Sequence, residues 1–441
     1  VYILNRNEQT WVMESISIMK KVPAEEVAEK DVLVLGMSYY DTGVAELVVD
    51  FNKKSETSRI LIKDYTQESA DWEECEKMLD NDIISGNMPD IVMLNNLGQI
   101  NKYMEKGAFA SLDSFLENDA EIDAGDMFPN LREALSYKDE LYMITPGFYV
   151  NTYAMKSKYV TGGAKMGIEE LEKLEAQLGK NAFFNFTRQE VLNIMFSNNY
   201  DSFIDLESGK CEFDEDFMAL LEYASKYPEE INYDEQDYDT YTVAFRKDNA
   251  IIDGCFIYDF YNFNRAEKGI FGEEITMVGC PGGEGSGANL ELSGGFAISD
   301  KSKHKDAAWQ FIREFLLLEV ETDEGYGGYS YGIPAMMSTA AELGKHQMKK
   351  QFYLDEYGNK VEVDDYYWIE DQEIVLEPIT QDRVDYVIEY IKTVEKTSFY
   401  DEQIMNIIDE EAAPFFAGQK DAKQVTDVIQ SRIQTYVNES R

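Results

Sequence analysis

The chain has 441 residues, 44% of them apolar, enough for a sizeable core and for two or three domains. Its 40 Lys and Arg stand against 85 Asp and Glu, a formal charge of −45 that opposes nucleic acid phosphates, anionic membrane surfaces and anionic ligands. Four scattered cysteines without a C-x-x-C pair and only two histidines give no pattern for a zinc site, and no run of about 18 apolar residues is present to cross a bilayer.

Residues 1–30 stand apart from the rest of the chain. "WVMESISIMKK" alternates like a strand and "VPAEEVAEK" reads as a linker, so this stretch is expected to be the tail of something upstream. With neither an initiator Met nor a signal peptide at its start, the sequence is expected to be a fragment or a processed chain. From residue 31 a repeating pattern begins. "VLVLGM" predicts a buried strand; Val44, Leu47, Val48 and Phe51 mark one face of a helix; "RILIK" predicts a second strand. Trp72, Cys75, Leu79 and Ile83 line another helix, with Cys75 expected as a small buried hydrophobe. Gly86 and Pro89 stop that helix before a third strand, "DIVML".

This β-α-β-α-β order predicts parallel strands with right-handed crossovers, whose ligands sit beyond the carboxyl ends of the strands. Those ends carry Ser38, Tyr39, Tyr40 and Asp41, then Asp64 and Tyr65, then Asn95 and Asn96. If the third strand stays extended, Asn95 and Asn96 point to opposite faces and only one reaches a ligand. Further on, "YKDELYMITPGFYVNTYAM" predicts a hairpin and an extended crossover. Phe217, Leu220, Leu221 and Ala224 mark a helix, "AIIDGCF" and "ITMVG" are strands, and "CPGGEGSGANLELSGG" is a loop. "GFAIS" is another strand, and the helix "HKDAAWQFIREFLL" buries Ala308, Ile312, Phe315 and Leu316, with Trp309 in the core. A hairpin around "DEYGNKVEV" and three helices marked by Val384/Val387/Ile391, Ile404/Ile407/Ile408 and Val428/Ile429/Ile433 complete the chain.

Several motifs carry no chemistry. "GGEGSG" lacks both the Lys-Ser/Thr of a phosphate loop and the helix of a dinucleotide fingerprint. "DLESGKCEFDED" has Lys210 and Asp216 where a calcium loop needs Gly and Glu. No G-x-S-x-G elbow exists, and His304 and His346 lie in charged, exposed-looking turns. The 29 Tyr, 24 Phe and 4 Trp are more telling, because Tyr39/Tyr40, Phe148/Tyr149, Phe256/Tyr258/Tyr261 and Tyr329/Tyr331 all fall at predicted loops or crossovers. Aromatic rings flanked by amides and carboxylates suit a sugar, with its apolar CH face and rim of hydroxyls. Core packing is the competing reading for each ring taken singly.

The order of "VLVLGMSYYDTGVAELVVDFNKKSETSRILIKDY", "ISGNMPDIV", "YMEKGAFASLDSFLEND" and "DELYMITPGFYVNT" resembles the first lobe of extracellular solute-binding proteins (family 1 type) of carbohydrate ABC transporters. "SGGFAISDKSKHKDAAWQFIREFL" is similar to the family's return into that lobe, and "IIDEEAAPFFAGQKDAKQVTDVIQSRIQTYVNES" to its ending, so the resemblance spans about residues 31–441. It implies an α/β, two-lobed periplasmic-binding-protein-like fold (type II), hinge-linked, with central mixed sheets. Lobe 1 would take 31–145 plus 297–330 and lobe 2 148–293 plus 334–441, with hinge segments near 145–149, 293–297 and 330–335. Residues 1–30 resemble the end of a repeated-strand domain that precedes such modules in some large Gram-positive lipoproteins.

The implied function is an extracellular receptor, not an enzyme, that needs no cofactor. It would act as a monomer that passes a sugar or oligosaccharide to the permease subunits of an ABC transporter and touches no nucleic acid. Attachment at the cell surface would run through an upstream part. Candidate polar contacts are Asp41, Asp64, Asn95, Asn96, Asp259 and Glu291; candidate stacking residues are Tyr39, Tyr40, Tyr149, Phe256, Tyr258 and Tyr331. A peptide or polyamine ligand and a two-lobed glycoside hydrolase are the alternatives.

Overall fold

The computed structural model describes residues 2–6, 13–18, 29–94, 100–160, 166–205, 208–231, 238–282, 287–320, 331–355, 357–369, 372–398 and 400–440. Among the described residues after 30, the two largest sheets, one mixed and one antiparallel, organise the fold. In the first, the strand Asp31–Met37 lies between Ser58–Asp64 and Ile91–Leu94, parallel to both, and Gly295–Ile298 adds antiparallel to Ile91–Leu94. The order follows from burial. Ile91–Leu94 is buried at every position and takes a central place, whereas Ser58–Asp64 alternates between buried and exposed at its start and forms an edge.

Two helices join these parallel strands. Thr42–Lys54 is capped by Asp41, whose Oδ1 accepts from the Val44 amide at 2.8 Å, and it buries Val44 and Val48 while Leu47 and Phe51 are only partly covered. Trp72–Ser85 starts on Asp71 and ends on Gly86 at φ 78°, a left-handed cap that glycine adopts without strain. It buries Cys75, Leu79 and Ile83, but Trp72 is 65% exposed and does not belong to the stripe. In the first turn of the helix, Trp72 has no preceding turn to lie back upon.

The second sheet is built around one long strand, Gly147–Lys156, to which Ile252–Ile257, Ile275–Met277, Asn289–Leu292 and Ile333–Pro334 all pair antiparallel. One face of this strand, Phe148, Val150 and Ala154, is fully buried and joins the core of the first sheet through the edge-to-face contact of Phe148 with Phe128. The other face, at Tyr153 and Met155, packs into a second core with Leu171, Met195, Phe217 and the final helices. Those helices, Glu402–Phe416 and Ala422–Ser440, bury Ile404, Ile407, Ile408, Val425, Ile429 and Ile433; Val428 is only partly buried.

The three crossing segments between the sheets meet. Ser293 donates its amide to the Gly147 carbonyl at 3.2 Å and its hydroxyl to the Tyr331 carbonyl at 2.6 Å, and a Cβ at Gly147 would collide with the carbonyl oxygens of Tyr331 and Ile333. A further tie runs from Asn130 Nδ2 to the carbonyls of Ile391 (2.8 Å) and Val394 (2.7 Å).

Other expectations meet the structure unevenly. Residues 13–18 form a strand that pairs antiparallel with Tyr2–Arg6, a pairing the sequence did not suggest. The hairpin Gln351–Leu354/Lys360–Val363 is followed by a second, Asp365–Ile369/Gln372–Leu376, also unanticipated. All four cysteines are buried free thiols. His304 and His346 are half-buried rather than exposed: His304 lies 3.5 Å from Asp31, and His346 lines a cavity. The glycine-rich residues 283–286, and Asn95 and Asn96, lie outside the described residues.

Candidate functional site between the two sheets

The carboxyl ends of Asp31–Met37 and Ile91–Leu94 face the last two helices across a cavity of about 480 Å³. The first-sheet side supplies Ser38 and Leu94 at the strand ends, Tyr103, and Glu73, Glu76 and Asp80 from one face of Trp72–Ser85. The opposite wall is Asp401, Glu402, Asn406 and Tyr436. Helix geometry produces the first wall: positions 73, 76, 77 and 80 recur at three- and four-residue spacing beside the buried 75/79/83 stripe, whose Leu79 also reaches the cavity.

Five carboxylates and one lysine line this space, so its field favours neutral or cationic groups. Burial, and after it the neighbouring Glu73, raises the Glu76 carboxyl above its usual range. Tyr103 donates its hydroxyl to Asp80, and Tyr436 donates to Asp401 Oδ2 at 3.0 Å; Asp401 Oδ1 caps the helix by accepting from the Ile404 amide at 3.0 Å. These bonds hold the carboxylates in place at the wall.

Tyr39, which follows the cavity-lining Ser38, belongs to an aromatic group drawn from strands and loops of both sheets. In the second sheet Tyr149 stands opposite Glu291 and Asn151 opposite Phe256, so the four share one face. Tyr149 and Phe256 rings lie 5.4 Å apart, and Phe256 and Tyr258 rings 6.2 Å apart. Phe256 is 40% and Tyr258 41% exposed, which large rings in a core would not be. Asn151 Nδ2 reaches Glu291 Oε1 at 3.5 Å, and burial raises the Glu291 carboxyl above its usual range.

Tyr39 approaches from the first sheet. Its hydroxyl donates to Asp41 Oδ2 at 2.8 Å, and burial, then Asp41 and the nearby Tyr149, pushes it up to about 12. Burial also carries the Tyr331 hydroxyl to about 12, helped by Asp41, Tyr39 and Glu46; that hydroxyl sits 2.8 Å from where a Cβ on Gly43 would stand. Gly332, at φ 85°, lets the backbone pass against Phe148 and the Tyr149 ring.

Of the sequence candidates, Tyr39, Asp41, Tyr149, Phe256, Tyr258, Glu291 and Tyr331 thus come together, and Tyr40 stands 46% exposed beside Tyr39. Asp64 does not join them. Its two oxygens are taken by Thr66 and Gln67, capping the turn Tyr65–Gln67. Asp259 is likewise a cap, accepting from the Asn262 amide at 2.5 Å and from Gln347 at 3.4 Å. Asn95 and Asn96 fall outside the described residues. Loop position alone does not find Glu73, Glu76, Asp80, Asp401, Glu402, Asn406 and Tyr436, because acids on an amphipathic helix look like a solvated face until another element is packed over them.

Among the described residues no group of three His, Cys, Asp or Glu side chains is placed to hold a metal ion, and no helix is long and apolar enough to cross a membrane. The family model described as bacterial extracellular solute-binding protein matches residues 43–319. The chain belongs to that family.

Solved structures agree on the two-lobed fold of the solute-binding family. An extracellular solute-binding protein family 1 member from Alicyclobacillus acidocaldarius is 14% identical, with 93% of this chain and 99% of that one covered at a TM-score of 0.55. The sugar-binding protein MalE from Xanthomonas citri is 12% identical over 93% and 98%, at 0.53. A de novo designed cysteine esterase is 12% identical over 93% and 99%, at 0.57. At such identities the likeness concerns the fold alone. No curated protein matches the sequence.

Proposed function

We propose that this solute-binding protein captures a sugar or oligosaccharide between its lobes and delivers it to the permease of an ABC transporter. The observation that carries this reading is the aromatic group Tyr39, Tyr149, Phe256, Tyr258 and Tyr331, which joins both sheets beside an acid- and amide-lined cavity. Such rings offer faces for the CH surface of a pyranose, while Asp41, Asn151, Glu291 and Asn406 offer acceptors and donors for its hydroxyls. The two-lobed relative from Xanthomonas citri is itself described as sugar-binding.

The lobes would divide near 145–149, 293–297 and 330–335, where the three crossings meet. A ligand touching both sheets would stabilise the closed arrangement by contacts absent from the open one, a shift of population that presents a loaded receptor to the membrane. The receptor works outside the cell, as a monomer that serves its transporter, and converts nothing.

The five carboxylates of the cavity favour a second reading, a cationic solute such as a polyamine or basic peptide. A panel of oligosaccharides, peptides and polyamines, followed by melting temperature and by chromatography for products, separates the readings. Stabilisation by a sugar without new products supports the proposal. Stabilisation by polyamines alone moves the ligand to the cationic class, and turnover of any sugar makes the protein a hydrolase.

A further inference from the structure

The strand Ile252–Ile257 runs antiparallel to Gly147–Lys156 in unbroken register, with Ile252 opposite Met155, Gly254 opposite Tyr153 and Phe256 opposite Asn151. Directly opposed residues share a face, so Gly254 lies on the side that carries Asn151, Phe256 and, two residues further along the central strand, Tyr149. Burial falls along that face. Ile252 and Met155 are buried in the second core, Tyr153 is 8% exposed at its rim, and Gly254 and Phe256 are exposed. Tyr153 gives its carbonyl to the amides of Val278 (2.8 Å) and Gly279 (3.2 Å) on its other side, so Gly254 and Tyr153 form a non-hydrogen-bonded pair, the kind in which opposed side chains come closest.

Nothing in the fold requires glycine at this position. Its φ is not left-handed, the register shows no bulge, and a Cβ on Gly254 would meet only the Cε1 atom of the Tyr153 ring, at 4.0 Å, an ordinary contact. Every other described glycine either takes a positive φ or would bring its Cβ to 3.2 Å or less from a neighbour. A glycine inside a strand weakens it, because the unfolded chain gains freedom and no side chain packs on the pleat. At Gly254 neither backbone conformation nor packing offsets that loss.

We propose that Gly254 is a specificity-determining residue of the ligand site: the bare strand at this position is the floor on which a sugar ring of the ligand lies, beside the Phe256 ring. The proposal rests on the reading of the protein as a sugar receptor and extends the site from the aromatic group along the strand. A pyranose laid flat needs a surface without projections under its CH face. Alanine at this position would lift the ring, and valine would displace it.

Calorimetric titration and thermal unfolding of the whole chain and of its Gly254→Ala and Gly254→Val variants test this, with maltotriose, cellotriose, xylotriose and mannotriose as probes. Both variants should keep or raise the melting temperature, as expected when a side chain is added at an exposed strand position. Affinity for the sugar that binds the wild type most tightly should fall about threefold in Gly254→Ala and at least about tenfold in Gly254→Val. A glycine kept for structural reasons would not give that pairing of signs. If valine disturbs the fold, Gly254→Ala carries the test alone. Full affinity in the folded variants, or a lower melting temperature in Gly254→Ala, would overturn the role of Gly254 and leave the sugar receptor standing. Failure of all four sugars to bind the wild type at about 10 mM would overturn the receptor reading and this role with it.

Discussion

Tyr149 is a strand residue whose neighbours on the same chain face, Tyr153 and Met155, lie in a core, yet it meets Phe256 and Glu291 at the lobe junction. Removing its ring should therefore cost binding more than stability. Tyr149→Ala is expected to weaken sugar binding about tenfold or more while shifting the melting temperature by only a few degrees, as read by titration and thermal unfolding. Asp119 is the converse case, a residue of stability alone. Burial would raise its carboxyl, but Arg313 at 2.7 Å, together with Trp309 Nε1 at 3.0 Å, outweighs burial and holds it at about 2. Because the folded-state value lies below the unfolded one, the pair stabilises the protein fully above about pH 4 and loses that contribution as pH falls towards about 2. Asp119→Asn should flatten that part of the acid stability curve, and Arg313→Ala, which strands a buried carboxylate, should cost about 3–5 kcal/mol in denaturant unfolding. The aromatics that fell at crossovers in the sequence do come close together in the fold. Asp41, Asp64 and Asp259 are ambiguous in sequence, because the residue after a strand is also the residue before a helix. An Asp there is as well suited to cap the helix as to meet a ligand, and all three are caps.

Elements buried on both faces announced themselves as apolar runs, which is why Asp31–Met37, Ile91–Leu94 and Gly295–Ile298 were readable from their residues alone. Asp365–Ile369 was not, since Tyr366 at 39% and Trp368 at 61% exposure put large rings on the solvent side, the reverse of the expected alternation. The carboxylate wall of Trp72–Ser85 needed the tertiary packing of Glu402–Phe416 before it could be recognised as a wall. The crossings were marked in sequence by glycine and aromatics, and the structure gives the glycines a steric reason. Gly332, at φ 85°, tolerates no other L-residue without strain, so Gly332→Ala should destabilise the protein by about 1–2 kcal/mol or more in denaturant unfolding. Thr187, capping Arg188–Asn198 reciprocally with Glu190, lies away from the crossings; Thr187→Ala should cost about 1 kcal/mol and leave ligand affinity unaltered.

At the scale of the whole molecule, the alternation of strands and helices is enough for an α/β protein, and motif order carries the two-lobed expectation; the joint packing of the three crossings exists only in the folded chain. The excess of 45 negative charges has its own consequence. Self-repulsion between exposed carboxylates is screened within about 10 Å at 0.1 M salt, so the melting temperature should rise as sodium chloride increases from a few millimolar, in contrast to a protein held together by surface ion pairs. The central claim is that a sugar binds where both sheets meet. Calorimetric titration of sugars into the wild-type chain and into the folded double variant Tyr149→Ala/Phe256→Ala tests it most directly. The account predicts saturable one-to-one binding of a sugar to the wild type and a loss of at least about tenfold in the variant; sugar binding of equal strength in both, or heat from polyamines and none from any sugar, would contradict it.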